Sequence, residues 1–268
     1  MNTFHITDKE FQNIQSFIYD EAGISMADSK KQLVLNRLSK RLRHYQLSRF
    51  RDYFDLVHRP DHAHEKQLLI DLLTTNETYF FREPKHFEFI GQEILSSFRA
   101  RQFRCWSAAC SNGAEPYSLA MLFEDRLGVG RWEILATDIS ARILASAKEA
   151  AYPLREAEKI PREYLVKYCL KGVRSQQGTM MIDNMLKRSI SFQHMNLNGQ
   201  IPETGKFDLI MLRNIMIYFD LETKIKLVNA LIKRMHPGAY LIIGHSETLN
   251  AVTNKLKLVK PSIYRLEP

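Results

Sequence analysis

The chain changes its hydrophobic rhythm near residue 74. Before that point apolar side chains recur at helical spacing. Phe11, Ile14, Phe17 and Ile18 line one amphipathic helix, and Leu35, Leu38, Leu42 and Tyr45 form the stripe of a second. Two further helices are expected at 50–57 and 64–73, so residues 1–73 read as a small all-helical domain. Thr74-Thr-Asn-Glu-Thr78 breaks the period with β-branched and cap-forming residues, and residues 74–86 read as a joint.

From about residue 87 to residue 268, short apolar runs alternate with amphipathic stretches, the pattern of an α/β sheet. A strand at 103–109 precedes a helix at 116–127, and a strand at 132–138 precedes a helix at 140–151. A strand at 207–213 leads to a helix carrying Ile225, Val228, Leu231, Ile232 and Met235 on one face. Asp220 is placed to cap it, and Pro237-Gly238 to end it. Another buried strand is expected at 239–244, and 255–259 with 263–266 form a closing hairpin. Residues 153–196 fit the alternation poorly. Met180-Met-Ile182 and Ile190-Ser-Phe-Gln-His194 suggest an inserted antiparallel flap, a β-subdomain at about 178–196.

The chemistry concentrates where the first two strands end. Cys110 to Ala114 make a tight turn of small residues, and Pro116 suits an early helical position because no N–H is lost there. Gly113 permits close backbone approach to a ligand, and a helix start offers unpaired N–H groups. Asp138 closes the next strand, near the spacing expected of a ribose-binding acid. Neither Gly-x-Gly-x-x-Gly nor Gly-Lys-Ser/Thr is present, and Glu115 inside the turn repels phosphate. A cationic nucleoside fits instead. S-adenosylmethionine has no phosphate, carries a sulfonium and an ammonium, and offers ribose hydroxyls to Asp138. The bland alternative makes Glu115 and Asp138 ordinary helix-start and strand-end residues.

Composition narrows the classes further. No run approaches the ~20 apolar residues that cross a bilayer, and Met1-Asn-Thr-Phe-His-Ile-Thr-Asp8 has neither a charged nor an apolar leader segment. A cytoplasmic, reduced protein is expected, with Cys105, Cys110 and Cys169 unpaired. The formal charge is +8, and no acid falls between Asp28 and Asp52. Lys30, Lys31, Arg37, Lys40, Arg41, Arg43, Arg49 and Arg51 crowd that window and point to an anionic partner. Without interleaved aromatics or a recognised motif, nucleic acid is not the expected one.

Several segments together resemble the CheR-type chemotaxis methyltransferases. They are Thr75-Asn-Glu-Thr-Tyr-Phe-Phe-Arg-Glu83, Ser107-Ala-Ala-Cys-Ser-Asn-Gly-Ala-Glu-Pro-Tyr-Ser118, Ala136-Thr-Asp-Ile139, Asn196-Leu197, Leu212-Arg-Asn-Ile-Met-Ile-Tyr-Phe-Asp220 and Gly244-His-Ser-Glu247. Their order spans nearly the whole chain. The family usually carries a second acid where Ala114 stands.

The resemblance implies a Rossmann-like S-adenosylmethionine-dependent methyltransferase domain, with S-adenosylhomocysteine as product. It implies methylation of glutamate side chains on bacterial chemoreceptors. Asn76, Thr78 and Arg82 look like linker residues that close over the methionine end. Glu115 resembles the acid that holds the amino group, and Asp138 the acid on the ribose. Asn196 and Leu197 match the pair flanking adenine, and Arg213 and Asn214 match strand-end residues beside the cofactor.

Arg82 and Tyr218 are the candidate catalytic residues, and no metal ligand set is proposed. The structural alternative for Arg82 is a salt bridge with Glu83 or Glu77. For Tyr218 it is a place in the core. A glutamate substrate is already ionised and a thioether leaves unprotonated, so His194 and His245 have no proton to take. The expected partners are the acidic helical region of a receptor, met by the basic helix from Lys30 to Arg51, and a receptor tail peptide at the β-subdomain. The chain is expected to act as a monomer without inserting into a membrane. The competing readings are a methyltransferase for another substrate and a receptor-docked adaptor without turnover. The polar-Pro-Pro-aromatic turn of amino-methylating DNA enzymes is replaced here by Arg213-Asn-Ile-Met-Ile-Tyr218.

Overall fold

The computed structural model describes residues 4–98 and 102–267. Four helices build the front of the chain: α1 (Asp8–Ala22), α2 (Lys31–His44), α3 (Phe50–Val57) and α4 (Ala63–Leu73). α1 begins at a capping box in which Thr7 and Glu10 satisfy each other's backbone N–H, and it ends on Gly23 at φ 71°. Phe11, Ile14, Phe17 and Ile18 are buried against Val34, Leu38 and Leu42 of α2 and Phe50, Tyr53 and Val57 of α3. The stripe on α2 is rotated from its expected position: Val34 takes the core, and Leu35 and Tyr45 only flank it. α2 also stops at His44, so the acid-free window is a helix, a turn and the start of α3 rather than one basic helix.

Beyond the joint, α5 (Pro84–Phe89) runs through a π-helical stretch (Ile90–Ile94) into the short α6 (Leu95–Ser97). The sheet then follows the alternation: β1 (Phe103–Ala108), α7 (Ala114–Leu127), β2 (Trp132–Asp138) and α8 (Ala141–Glu149). The inserted region holds β3 (Ala151–Pro153), α9 (Arg162–Tyr168), β4 (Cys169–Lys171), β5 (Thr179–Ile182) and α10 (Asn184–Lys187). It is followed by β6 (Ile190–His194), β7 (Phe207–Leu212), α11 (Leu221–Ile232), β8 (Met235–Ile243), β9 (Leu256–Lys260) and β10 (Ile263–Leu266).

The seven-stranded sheet runs β6-β2-β1-β7-β8-β10-β9, parallel from β6 to β8 and antiparallel at the closing hairpin. Alternate side chains sort to its two faces, as a strand's period of two dictates. Cys105 of β1, with Leu209 and Met211 of β7, packs under α7, while Trp106, Ala108, Ile210 and Leu212 pack under α11. β1 has β2 on one side and β7 on the other, so the strand order reverses there. Ligands of such sheets enter at the carboxyl ends of the strands at this switch.

Three expectations are corrected. The run Ile190–His194 is no flap strand: it pairs in parallel with β2, from Ile134↔Ile190 to Asp138↔His194, as the edge of the main sheet. A half-covered edge strand alternates just as a flap does, so period alone does not separate them. The small antiparallel sheet is β3-β5-β4 and draws on residues 151–182. Pro237 and Gly238 do not end α11, which closes at Ile232; they sit where the β7–β8 register jumps from Phe207↔Met235 to Leu209↔Tyr240. Finally, α7 opens at Ala114, two residues before Pro116.

Candidate functional site

A cleft with about 990 Å³ of open space lies at the strand ends, roofed by the ends of α1 and α4 and by the joint. All ten proposed site residues line it: Asn76, Thr78, Arg82, Glu115, Asp138, Asn196, Leu197, Arg213, Asn214 and Tyr218. His194 and His245 do not.

The β1–α7 turn is bent by left-handed residues, with Ala109 at φ 69°, Ser111 at 51° and Gly113 at 88°. Only Gly113 adopts this conformation without a side-chain penalty. Its freedom serves packing, which corrects the expected role. A Cβ there would stand 2.9 Å from the Tyr152 hydroxyl and 3.0 Å from the Ala147 Cβ. The residues that face the cleft are Ala109, Cys110 and Ser111.

Asp138 ends β2 buried, 6% exposed. One carboxylate oxygen accepts the Ser111 N–H at 2.8 Å and the other the Ser140 N–H at 2.9 Å, so the acid and the turn hold one another. Burial raises the Asp138 pKa, against the pull of those two N–H groups. Ser111 also reaches across the cleft, donating from its hydroxyl to the Asn76 carbonyl at 2.9 Å. The joint is thereby fastened to the turn.

Glu115 lies in the first turn of α7. One oxygen accepts from the Ser107 hydroxyl at 2.7 Å and the other from Arg213 Nη1 at 2.8 Å. Arg213, buried at the end of β7, bridges onward to Glu83, with Nη2 at 3.0 Å and Nε at 3.3 Å. It also donates to the Arg82 carbonyl. Glu83 stands in left-handed backbone at φ 60° and accepts from the Asn214 side-chain amide at 3.5 Å and the His245 N–H at 3.2 Å. Glu83, His86 and His245 bring ligand-type atoms within 4.8 Å of one another. Both Glu83 oxygens already face donors, so the cluster reads as a positioning knot rather than a cation site.

Asn214, at φ 57°, is fixed from behind. Its N–H donates to Glu247 at 2.9 Å, and the same carboxylate accepts the Gly244 N–H at 2.7 Å and the Ile217 N–H at 3.3 Å. Burial pushes the Glu247 pKa up. Gly244 is required: a Cβ would fall 2.5 Å from the Asn214 amide nitrogen. At the other end of the cleft, Asn196 donates to the Glu21 carbonyl at the end of α1 and accepts the Asn198 N–H at 2.9 Å. Leu197 sits beside it, half-buried, with Met195 and Ile139 nearby in the lining.

Arg82 forms no carboxylate pair among the described residues, so the salt bridge to Glu83 or Glu77 is not made. Its guanidinium donates to the Glu77 carbonyl at 3.0 Å and lies 5.9 Å from the centre of the Tyr79 ring. The Tyr218 side chain is half-buried in the wall, and its carbonyl accepts the Ser25 N–H at 2.7 Å. Sequence reasoning overlooked Glu83 and Glu247 as site residues, though both lie in segments it singled out. Ser107 near the end of β1 and Ser111 in the turn lie in a resembling segment too, but carried no signal of their own.

The basic window is also partly internal. Arg41 forms a two-pronged pair with the fully buried Glu65, both bonds 2.7 Å. Arg37 donates to the Leu72, Leu73 and Thr74 carbonyls at 3.1, 3.0 and 3.0 Å. Of the expected docking cations, Lys30, Lys40, Arg43, Arg49 and Arg51 are exposed, and Arg49 is paired with Asp52 at 2.7 Å.

Two family models divide the chain. "CheR methyltransferase, all-alpha domain" matches residues 9–74, and "CheR methyltransferase, SAM binding domain" matches residues 76–265. The chain belongs to the CheR methyltransferase family. The chemotaxis protein methyltransferase of Escherichia coli is 36% identical over 97% of this chain and 92% of its own length. That of Borreliella burgdorferi is 34% identical over 97% and 95%. A probable chemotaxis protein methyltransferase of Rhizobium etli is 38% identical over 87% and 90%. Among solved structures, the N-methyltransferase NodS of Bradyrhizobium japonicum WM9 with S-adenosylhomocysteine aligns at TM-score 0.42 and 13% identity, covering 75% of this chain and 97% of that one.

CheR proteins use S-adenosylmethionine, and this cleft suits it. Acids stand in the β1–α7 connection and at the end of β2, the Met195, Leu197 and Ile139 side chains offer apolar surface, and the turn carries no phosphate-binding glycine motif. No helix of the described residues is long and apolar enough to cross a membrane.

Proposed function

We propose that the chain methylates glutamate side chains of bacterial chemoreceptors, forming glutamate methyl esters from S-adenosylmethionine. One observation carries this reading. The cleft holds two arginines, and Arg213 is engaged by two acids while Arg82 has only a carbonyl and a ring. A guanidinium without an anion, in the lining of a cleft whose other arginine is taken up by acids, is matched to an incoming carboxylate.

When bound, the cofactor supplies a methyl group on a positively charged sulfur. The protein's contribution is geometric. Asp138 is set to accept from ribose hydroxyls, Glu115 from the ammonium, and Asn196 and Leu197 to flank the adenine. The joint from Asn76 to Arg82 closes over the methionine end, with Asn214 beside it. Arg82 orients a carboxylate, and Tyr218 walls the methyl channel. A substrate carboxylate is ionised at neutral pH, so alignment and exclusion of water are the whole task.

The receptor-facing surface in this reading is the exposed part of the basic window: Lys30, Lys40 and Arg43. A receptor tail strand would add to an edge of the β3-β5-β4 sheet, where Leu170 on β4 is 54% exposed. Incubation of the protein with receptor-bearing membranes and methyl-labelled cofactor tests the activity. Base-labile label on receptor glutamates is the expected result. Label on other side chains, or cofactor binding with no transfer to any receptor, would refute it.

A further inference from the structure

Arg213 is shared between two carboxylates, and the sharing has an electrostatic result. Glu115 takes Nη1 at 2.8 Å, while Glu83 takes Nη2 at 3.0 Å and Nε at 3.3 Å. Two carboxylates and one guanidinium leave one net negative charge in the cluster. Were Glu83 neutral, Arg213 would cancel Glu115 completely, and the acid at the methionine end would present no charge to an arriving ammonium.

We propose that Glu83 is a positioning residue that draws Arg213 off Glu115 and thereby preserves the negative charge that recognises the amino group of the cofactor. This rests on the reading of Glu115 as the ammonium acceptor. The surroundings support the assignment. Glu83 is held in left-handed backbone between Arg82 and Pro84, a conformation that strains a non-glycine residue and persists only when its surroundings fix it. It is fixed here by the Asn214 amide and the His245 N–H. Glu83 itself does not line the cleft, so it acts on the ligand through the residues it holds there, Arg213 by charge and Asn214 by a long amide contact.

His86, whose Nδ1 is 3.3 Å from Glu83, does not neutralise it. Its ring is buried, bonded through Nε2 to the Ser262 hydroxyl at 2.7 Å and stacked edge-on against His245. Burial and the nearby Arg213 push its pKa down to about 3. The cation that Glu83 balances is therefore Arg213.

The test compares two ligands on three proteins. S-adenosylhomocysteine carries the amino-acid end, and 5′-methylthioadenosine shares the nucleoside but lacks it. Binding of each is measured by calorimetry on the wild type, Glu83→Gln and Glu83→Asp. In Glu83→Gln, S-adenosylhomocysteine should bind about tenfold more weakly while methylthioadenosine changes less than about twofold. Glu83→Asp, which keeps the charge, should recover part of the loss.

Equal weakening of both ligands would make Glu83 a purely structural residue and overturn the proposal. Unchanged binding of both would overturn it as well. A wild type that holds the two ligands equally well would instead refute the assignment of Glu115, and the proposal would fall with it.

Discussion

Two arginine–carboxylate clusters in this chain look alike and behave differently. In the helical domain, Arg41 meets one carboxylate, Glu65, whose remaining capacity is filled by the Tyr45 and Tyr53 hydroxyls at 3.0 and 2.7 Å. Charges cancel and every lone pair is occupied. In the cleft, Arg213 meets two carboxylates, so a negative charge is left over, beside open space. A balanced cluster is a rivet. An unbalanced one next to a cavity leaves a charge that a cationic ligand group would complement.

The largest effect should come from opening the rivet. Glu65→Ala leaves the partly covered Arg41 guanidinium and two tyrosine hydroxyls without their acceptor and should cost about 2–3 kcal/mol in a urea titration, while the surviving folded protein still binds S-adenosylhomocysteine normally. A loss under about 1 kcal/mol would show that the pair is not the clamp its burial implies. Next comes Arg82, the cleft arginine that pairs with no carboxylate among the described residues. Arg82→Ala should lower turnover about 100-fold or more with stability nearly unchanged; near-normal turnover would remove Arg82 from the catalytic residues. Asp138→Asn should weaken S-adenosylhomocysteine by about tenfold in calorimetry, since an amide accepts less well from two hydroxyls.

Two covered acids, Glu65 of the helical domain and Asp138 of the cleft, titrate in opposite directions. Burial raises the Glu65 carboxyl, but hydrogen bonds from Arg41 and the tyrosines outweigh it and hold the pKa below its ordinary value. The resulting stabilisation is complete above the unfolded pKa and is lost as pH falls through the lower folded one. Burial moves Asp138 the other way, so its folded pKa lies above the unfolded one and its contribution becomes more favourable as pH falls. Acid unfolding followed by fluorescence in wild type and Glu65→Gln should show the acid-side slope reduced in the variant. The smallest effect is on the surface. Charge reversal at Lys30, Lys40 and Arg43 should lower apparent receptor affinity severalfold, less so in high salt, and leave cofactor binding intact.

The framework of this molecule was readable because its periods are clean. β2 begins and ends where the alternation places it, and the residues given roles in five of the six resembling segments converge on one cleft. What escaped was set by neighbours rather than by local pattern. Ile190–His194 alternates whether it caps a flap or edges a sheet, and only the strand beside it decides. Pro237-Gly238 is a stop signal anywhere except in a bulge. Arg37 and Arg41 look like solvated cations until the carbonyls and the acid that claim them are brought across from α4. Glu83 stands beside the very arginine chosen as catalytic, yet its partner Arg213 is distant in sequence.

Arg37 makes the join between the two halves of the chain more than a tether. One guanidinium satisfies three oxygens where α4 unwinds, and two of the residues that own them, Leu73 and Thr74, are wall of the nucleoside cleft. Severed from its first seventy residues, the catalytic half would carry those carbonyls bare and lose the Glu21 oxygen that seats Asn196. The smallest piece able to grip a nucleoside is therefore larger than the sheet that names the fold.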